Sequence, residues 1–246
     1  MAIKRATGAN ANAHVMIPLD GDWLLASPDR PEISLSAIVP GCVHLDLMRA
    51  GIIEDPCHGE NERDCEWISR IRWTWRRTFE VAEVVLAREN IELVCNGLDT
   101  FATVSLNGVE IGRANNMFRS WRFDAGRHVK PGVNQIAITF DAILPIVEAL
   151  QAKRYIHAWG DGPGGDKFSG GPWVRKAQCS FGWDWGPKLP TAGIWKSLSI
   201  HAWSSARLNS IRIDQEHHNG AVDLKVSAVI DHAPTSDAAS IKVRLL

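Results

Sequence analysis

The stretch that decides the fold is Ile71-Arg72-Trp73-Thr74-Trp75-Arg76-Arg77-Thr78-Phe79. Large apolar side chains alternate along it at Ile71, Trp73 and Trp75. Because successive side chains of a β-strand point to opposite faces, this pattern predicts a strand with one buried face. Such a strand must bury its apolar side against other secondary-structure elements.

Segments on both sides of this strand supply that structure. Residues 103–111 predict a hairpin, because Asn107-Gly108 tolerates the positive φ angles of a tight type I′ turn. Residues 43–51 predict a short helix that ends at a glycine, and residues 143–155 a second helix with apolar positions at near-helical spacing. The remaining strand patterns are residues 15–19, 21–25, 91–95, 121–124, 134–140 and 193–203.

Many short strands with two brief helices and no alternation of strand and helix predict an all-β fold, a two-sheet β-sandwich of jelly-roll type. We expect it to span residues 15–204, after a flexible tail over residues 1–14. Strand patterns restart at residues 208–213, 222–230 and 241–246. Three strands cannot close a sandwich of about seven, so we expect residues 205–246 to begin a second, incomplete β domain of a longer protein.

Composition narrows the function. A net charge of −1 argues against a nucleic-acid partner. No apolar run approaches the roughly 20 residues of a membrane span, and no apolar segment follows the basic N-terminus as it would in a signal peptide. The five cysteines are widely spaced, so we expect reduced thiols in a cytoplasmic protein.

The sequence predicts no metal and no cofactor. Neither CxxC nor HExxH occurs. Residues 157–166 form a glycine-rich loop with two aspartates, but their spacing fits no EF-hand loop, and the Gly-Lys-Ser/Thr of a phosphate loop is missing. We therefore interpret this segment as a mobile loop.

Residues 171–187 stand out chemically, because they carry three of the eleven tryptophans together with Arg175, Lys176 and Asp184. Glycines and prolines interrupt the stretch, which argues against a continuous helix. In an extended backbone, Trp183 and Trp185 would share one side and Asp184 would face the other. Flat aromatic faces beside a carboxylate suit a sugar. The alternative is that the tryptophans are core residues and Asp184 caps a turn.

Taken together, several motifs resemble the N-terminal, sugar-binding domain of β-mannosidases in glycoside hydrolase family two. The resemblance runs from about residue 18 to residue 203. Its most specific part is the Phe-Gly-Trp-Asp-Trp-Gly-Pro segment, which separates β-mannosidase-like members from the β-galactosidase and β-glucuronidase branches. The motifs are Trp73-Thr74-Trp75-Arg76-Arg77-Thr78-Phe79, Gly97-Leu98-Asp99-Thr100-Phe101-Ala102-Thr103-Val104, Leu106-Asn107-Gly108, Asn116-Met117-Phe118-Arg119, Ser180-Phe181-Gly182-Trp183-Asp184-Trp185-Gly186-Pro187 and Gly193-Ile194-Trp195.

The resemblance implies a galactose-binding-like jelly roll, then an immunoglobulin-like domain from residue 205, then a catalytic (β/α)₈ barrel outside this chain. The family is retaining and takes both catalytic carboxylates from that barrel, so no catalytic residue is expected here. It also implies that Trp183, Asp184 and Trp185 contact the terminal sugar. Arg175 and Lys176 are candidates for orienting Asp184; their alternative role is that of surface cations.

Three functions of different classes follow. The first is the N-terminal part of an exo-acting β-mannosidase, which removes terminal non-reducing β-mannose. The second is a free-standing carbohydrate-binding module. The third is a structural domain that positions a barrel or builds a dimer, since sandwiches host all three roles. The Trp-Asp-Trp segment favours the first. The oligomeric state, a homodimer included, stays open, as does the choice of β-mannoside.

Overall fold

The structure, a computed structural model, describes residues 14–161 and 167–232. The predicted N-terminal tail, apart from its last residue, and the predicted strand over residues 241–246 lie outside the described residues. So do residues 162–166 of the glycine-rich loop. Among the described helices, none is both long and apolar enough to cross a membrane.

Strands dominate the described part of the chain. They are β1 Val15–Pro18, β2 Gly21–Ala26, β3 Ser34–Val39, β4 Trp73–Val81, β5 Asn90–Cys95, β6 Leu98–Asp99, β7 Phe101–Leu106, β8 Val109–Asn115, β9 Trp121–Asp124, β10 Gly132–Phe140, β11 Gly193–Ile194, β12 Leu198–Trp203, β13 Ala206–His218 and β14 Ala221–His232. The α-helices are α1 Val43–Arg49, α2 Glu83–Leu86 and α3 Ile143–Lys153. Three 3₁₀ helices cover Asn61–Arg70, Gly171–Trp173 and Gln178–Phe181.

Two antiparallel sheets form the body of the molecule. One has the strand order β3-β2-β4-β10-β7-β8, and the other has the order β1-β12-β5-β9. The short strands β6 and β11 pair with each other at the edge of the sandwich. The prediction of an all-β sandwich with short helical insertions is therefore confirmed.

The strand that decides the fold lies inside the larger sheet, where β4 pairs with both β2 and β10. Trp73 and Trp75 face the core and are 1% and 0% exposed. The Trp75 ring packs edge-on against Phe140, with 5.2 Å between ring centroids. The Trp73 indole N–H donates to the Ile68 carbonyl at 2.8 Å, so its polar group is satisfied in the core.

Most strands, helices and turns that the sequence predicts from side-chain periodicity and turn residues are present in the structure. The Asn107-Gly108 turn has φ angles of 51° and 84°, as a type I′ hairpin requires. Residues 193–203, by contrast, are not one strand. They form β11 and β12, which belong to different sheets. Trp195 lies between them and donates its indole N–H to the Met117 carbonyl at 3.0 Å. The sequence analysis also missed β3, β6 and α2.

Strands β13 and β14 form a long hairpin next to the sandwich. Arg207 ties it to β5 through Glu92 at 2.7 Å and within the hairpin binds Asp231 at 2.8 Å. One face of the hairpin carries apolar side chains that are between 43% and 56% exposed: Leu208, Ile211, Ile213, Val222, Leu224 and Val226. An immunoglobulin-like domain from residue 205 stays a prediction.

We expect the backbone amides of β13 and β14 to exchange hydrogen faster than those of β10. A two-stranded hairpin has little buried core, and its open edges leave strands unprotected. Strand β10, by contrast, is paired on both sides, with β4 and with β7. Hydrogen–deuterium exchange on the chain of residues 1–246 measures this difference. Equally slow exchange in the hairpin of a demonstrated monomer would contradict it.

Candidate functional site

The Trp-Asp-Trp segment forms a tight turn. The Trp183 N–H donates to the Gly186 carbonyl at 3.2 Å, and the Gly186 N–H returns a bond to the Trp183 carbonyl at 3.3 Å. Asp184 and Trp185 therefore occupy the tip. The expected extended backbone is wrong here, because these two bonds close the chain on itself. The two indole rings lie 6.4 Å apart, tilted by 53°.

The N-terminal side of this turn is anchored by a small apolar core. Phe181 is 1% exposed and packs with Val147 and Val174, apart from the main core. The Phe181 carbonyl accepts a bond from the Phe168 N–H at 2.7 Å. Gly182 follows with a φ of 110°, a backbone angle that residues other than glycine rarely adopt. It turns the chain out of the 3₁₀ helix Gln178–Phe181.

The C-terminal side is tied to the 3₁₀ helix Asn61–Arg70. The Lys188 backbone N–H donates to the Glu62 carboxylate at 2.9 Å. Two residues later, the Pro190 carbonyl accepts a bond from the Ser69 hydroxyl at 2.8 Å. The chain is therefore anchored on both sides of the turn, which limits the conformational freedom of its tip.

Aromatic rings cluster around the tip. Trp185 is 78% exposed and Trp159 is 62% exposed. The Trp159 ring lies 5.9 Å from that of Trp183, and the Lys167 ammonium sits 3.5 Å from the centre of the Trp183 ring. A cation over an aromatic face is attracted by the ring quadrupole, so Lys167 holds the orientation of Trp183.

A cleft of about 780 Å³ opens beside the turn. One wall consists of residues 183–188 and Phe168, and the other of Pro56, Cys57, Gly59, Glu62, Arg63 and Glu66. The lining combines aromatic rings and prolines with five charged side chains, Glu62, Arg63, Glu66, Asp184 and Lys188, which offer hydrogen-bonding groups to a polar ligand.

Asp184 is the charged group at the tip. It is exposed, and within the described part of the chain its carboxylate takes part in no hydrogen bond or ion pair. The alternative that Asp184 caps the turn therefore has no supporting contact, because the turn is closed by backbone bonds alone. An ionised carboxylate without a partner can accept hydrogen bonds from a ligand.

Arg175 and Lys176 lie elsewhere. Arg175 is exposed, and its backbone pairs with Asn116 next to a separate groove lined by Phe118 and Pro172. Lys176 is buried and paired with Asp99. The prediction that Lys176 orients Asp184 is therefore wrong, because its ammonium group is used inside the domain. Burial lowers the pKa of Lys176, and the Asp99 carboxylate opposes that shift.

The sequence analysis missed Trp159 and Lys167 as parts of this cluster. Trp159 lies within the glycine-rich segment over residues 157–166, which the sequence analysis interprets as a mobile loop, and Lys167 follows that segment directly. The available signal was Trp159 itself, a large aromatic residue in an otherwise small and polar loop. Within that loop, the Asp161 side chain is 1% exposed and accepts a bond from the Tyr155 hydroxyl at 2.9 Å.

The two-sheet topology and this edge site define the class as a galactose-binding-like β-sandwich domain. The family model described as "Glycosyl hydrolase 2 galactose-binding domain-like" matches residues 23–196. The chain belongs to this family.

Several similar proteins are named β-mannosidase. A β-mannosidase of Bos taurus is 40% identical over 79% of this chain, and β-mannosidase B of Thermothelomyces thermophilus is 36% identical over 78%. A crystal structure of a β-D-mannosidase from Dictyoglomus thermophilum has a TM-score of 0.81 and 35% identity over 89% of the chain. This chain spans only 22% of the length of each of the two sequences and 26% of that solved chain.

Proposed function

We propose that this chain is the N-terminal part of an exo-acting, retaining β-mannosidase that hydrolyses terminal non-reducing β-D-mannose. In this proposal, the catalytic domain lies in the remainder of a longer protein and supplies both catalytic carboxylates. Three relatives named β-mannosidase support the substrate class. Their much greater length supports the presence of a further domain.

The observation that carries the proposal is the exposed Asp184 carboxylate, which has no partner among the described residues and stands between Trp183 and Trp185 in the chain, at the tip of a turn anchored on both sides. Sugar hydroxyls would donate to the carboxylate, and the C–H face of the ring would pack on an indole. Each charge-assisted bond of this kind contributes about 1.5–3 kcal/mol. This part of the protein therefore shapes one side of the terminal mannose pocket.

The proposal excludes catalysis by the chain alone. A retaining glycosidase needs two carboxyl groups about 5–5.5 Å apart, one on each side of the scissile bond. In the cleft, the acidic residues Glu62 and Glu66 line one wall and Asp184 the other. Of these, Glu62 is occupied by the Lys188 N–H and Glu66 by Arg70, which leaves Asp184 as a binding group rather than one of a reacting pair.

We expect residues 1–246 alone to release no product from a chromogenic β-mannoside, and the complete protein to do so. The reason is that, in this proposal, both catalytic carboxylates and the remaining walls of the sugar pocket come from the catalytic domain in the rest of the protein. The complete protein should also prefer the β-mannoside to matched β-galactoside and β-glucuronide substrates.

Two results would contradict this proposal. Turnover by residues 1–246 above a buffer blank would place the catalytic groups in this chain. A complete protein that prefers another β-glycoside would remove the mannosidase assignment. A free-standing binding module would instead bind mannosides as residues 1–246, which calorimetry with β-mannosides measures directly.

A further inference from the structure

The loop that carries the sugar-contacting turn is fastened at its base by a buried polar cluster. Lys176 stands at the start of the loop and Thr191 at its end. The Lys176 ammonium donates to the Thr191 carbonyl at 2.9 Å and to the Thr191 hydroxyl at 3.1 Å. The two ends of a loop that spans residues 176–191 are therefore joined by one side chain.

Asp99 completes the cluster. Its carboxylate accepts a bond from Lys176, and the Thr191 hydroxyl donates to the same oxygen at 2.7 Å. The second carboxylate oxygen accepts a bond from the Thr100 hydroxyl. Asp99 and Lys176 are both 2% exposed. We call Asp99, Lys176 and Thr191 the base clasp.

The donor count shows that the clasp is saturated. An ammonium group has three N–H donors, and the three acceptors on Asp99 and Thr191 use all of them. Neighbouring His44 adds no competing cation, because burial and the nearby Lys176 charge lower its pKa to about 4. The ion pair is thus internal and complete.

The clasp also stands on a fixed support. Asp99 belongs to β6, which pairs with β11, where Gly193 follows Thr191 closely in the chain. On the other side, the Ala177 N–H contacts the Met117 sulfur at 3.0 Å, and the Met117 N–H donates to the Arg175 carbonyl at 3.0 Å. Both ends of the loop are thereby held against the sandwich.

A buried ion pair is a poor device for stability alone. Well-packed apolar residues of similar volume often stabilise a protein as much or more, whereas removal of one charged partner is costly. The pair instead fixes position, because its hydrogen bonds hold Lys176 and Thr191, the two ends of the loop, together. The loop that these bonds hold carries the Trp183–Gly186 turn.

We propose that the base clasp positions the Trp183–Gly186 turn for substrate binding and turnover, with Asp99, Lys176 and Thr191 as positioning residues that do not touch the sugar. This inference rests on the proposed function of Asp184. Misplacement of a substrate-contacting group by about 1 Å can cost on the order of 100-fold in rate.

The test uses the complete protein with Lys176→Met, Asp99→Asn and the double variant. Thr191→Val is the milder change that removes the bridging hydroxyl alone. The measurements are the melting temperature, kcat/KM for a chromogenic β-mannoside, and hydrogen exchange of the amides of Gly182, Trp183 and Gly186, which are hydrogen-bonded in the loop. Asn134→Ala is the matched control, because Asn134 is also a fully buried polar residue. It accepts a hydrogen bond from Asn107 and lies near the start of β10, outside the loop of residues 176–191.

We expect both single charge variants to lose melting temperature, speed up exchange at the three loop amides, and lower kcat/KM by about 10- to 100-fold. The double variant should regain melting temperature, because it leaves no unpaired buried charge. Its loop exchange and kcat/KM should stay impaired, because the two ends of the loop remain unfastened. Thr191→Val should shift loop exchange and kcat/KM in the same direction by a smaller factor.

A merely structural pair predicts a different pattern. Activity and loop exchange would then follow melting temperature, recover in the double variant, and change as much in Asn134→Ala. That result would overturn the proposal. If the charge variants fail to fold, unchanged hydrogen exchange of the loop amides in Thr191→Val would overturn it as well. Asp184→Ala separates the two proposals: unchanged kcat/KM there removes the sugar contact itself, whereas a loss there with unaffected clasp variants removes the clasp alone.

Discussion

Replacement of Asp184 by alanine in the complete protein is expected to lower kcat/KM for a β-mannoside by roughly thirty- to a thousand-fold, or about 2–4 kcal/mol. This magnitude corresponds to the loss of the two charge-assisted bonds to the sugar that we propose for Asp184. The free energy of unfolding should change by less than about 1 kcal/mol, since the exposed carboxylate has no partner to lose in the described part of the chain.

Asp184→Asn sharpens this prediction. The amide keeps the shape and one acceptor oxygen but removes the charge, so kcat/KM should fall between the wild-type and alanine values. Asp22→Ala is a suitable control, because Asp22 is an exposed carboxylate on β2, on the outside of the larger sheet. It should leave both kcat/KM and melting temperature unchanged. A destabilised Asp184→Ala variant with normal kinetics would reject the substrate contact and restore a turn-capping role.

The second large effect concerns the core. Trp75→Ala should lower the free energy of unfolding by about 3–5 kcal/mol, because it removes a fully buried indole and leaves a cavity against Phe140. A loss of that size is a large share of the 5–15 kcal/mol that stabilises a typical domain. Chemical denaturation of residues 1–246, followed by circular dichroism, measures it.

Trp185→Ala provides a matched control with the same substitution. Its side chain is 78% exposed at the tip of the turn, so the free energy of unfolding should change by no more than about 0.5 kcal/mol. A Trp185→Ala variant destabilised as strongly as Trp75→Ala would show that the turn is part of the folding core. A tolerated Trp75→Ala would contradict the position of β4 in the larger sheet.

The sequence predicted which candidate site residues lie together only where residue type and place in the fold agree. Trp183, Asp184 and Trp185 were predicted from their residue types, and the structure places them at one edge beside a cleft. Whether they contact a sugar stays a prediction. Lys176 carries the same charge as Arg175 and stands next to it, yet it is buried where Arg175 is exposed. Composition alone does not distinguish two such neighbours.

Local pattern determined the strands and turns. Alternation of apolar side chains predicted β4, the Asn107-Gly108 pair predicted the hairpin of β7 and β8, and apolar spacing predicted α3. These signals are local because side-chain periodicity and turn angles depend on residues a few positions apart. The fold class was predicted from the number of these short strands and the absence of alternating strands and helices.

Tertiary structure decided the rest. Lys176 meets Asp99 across 77 positions of the chain, and the Lys188 amide meets Glu62 across 126 positions. Such pairs depend on which strands become neighbours at the sandwich edge, and no local pattern encodes that choice. The division of residues 193–203 between two sheets follows from the same packing. The sequence alone determined that a strand, a turn or a carboxylate is present, whereas long-range packing determined which groups are buried and which face the cleft.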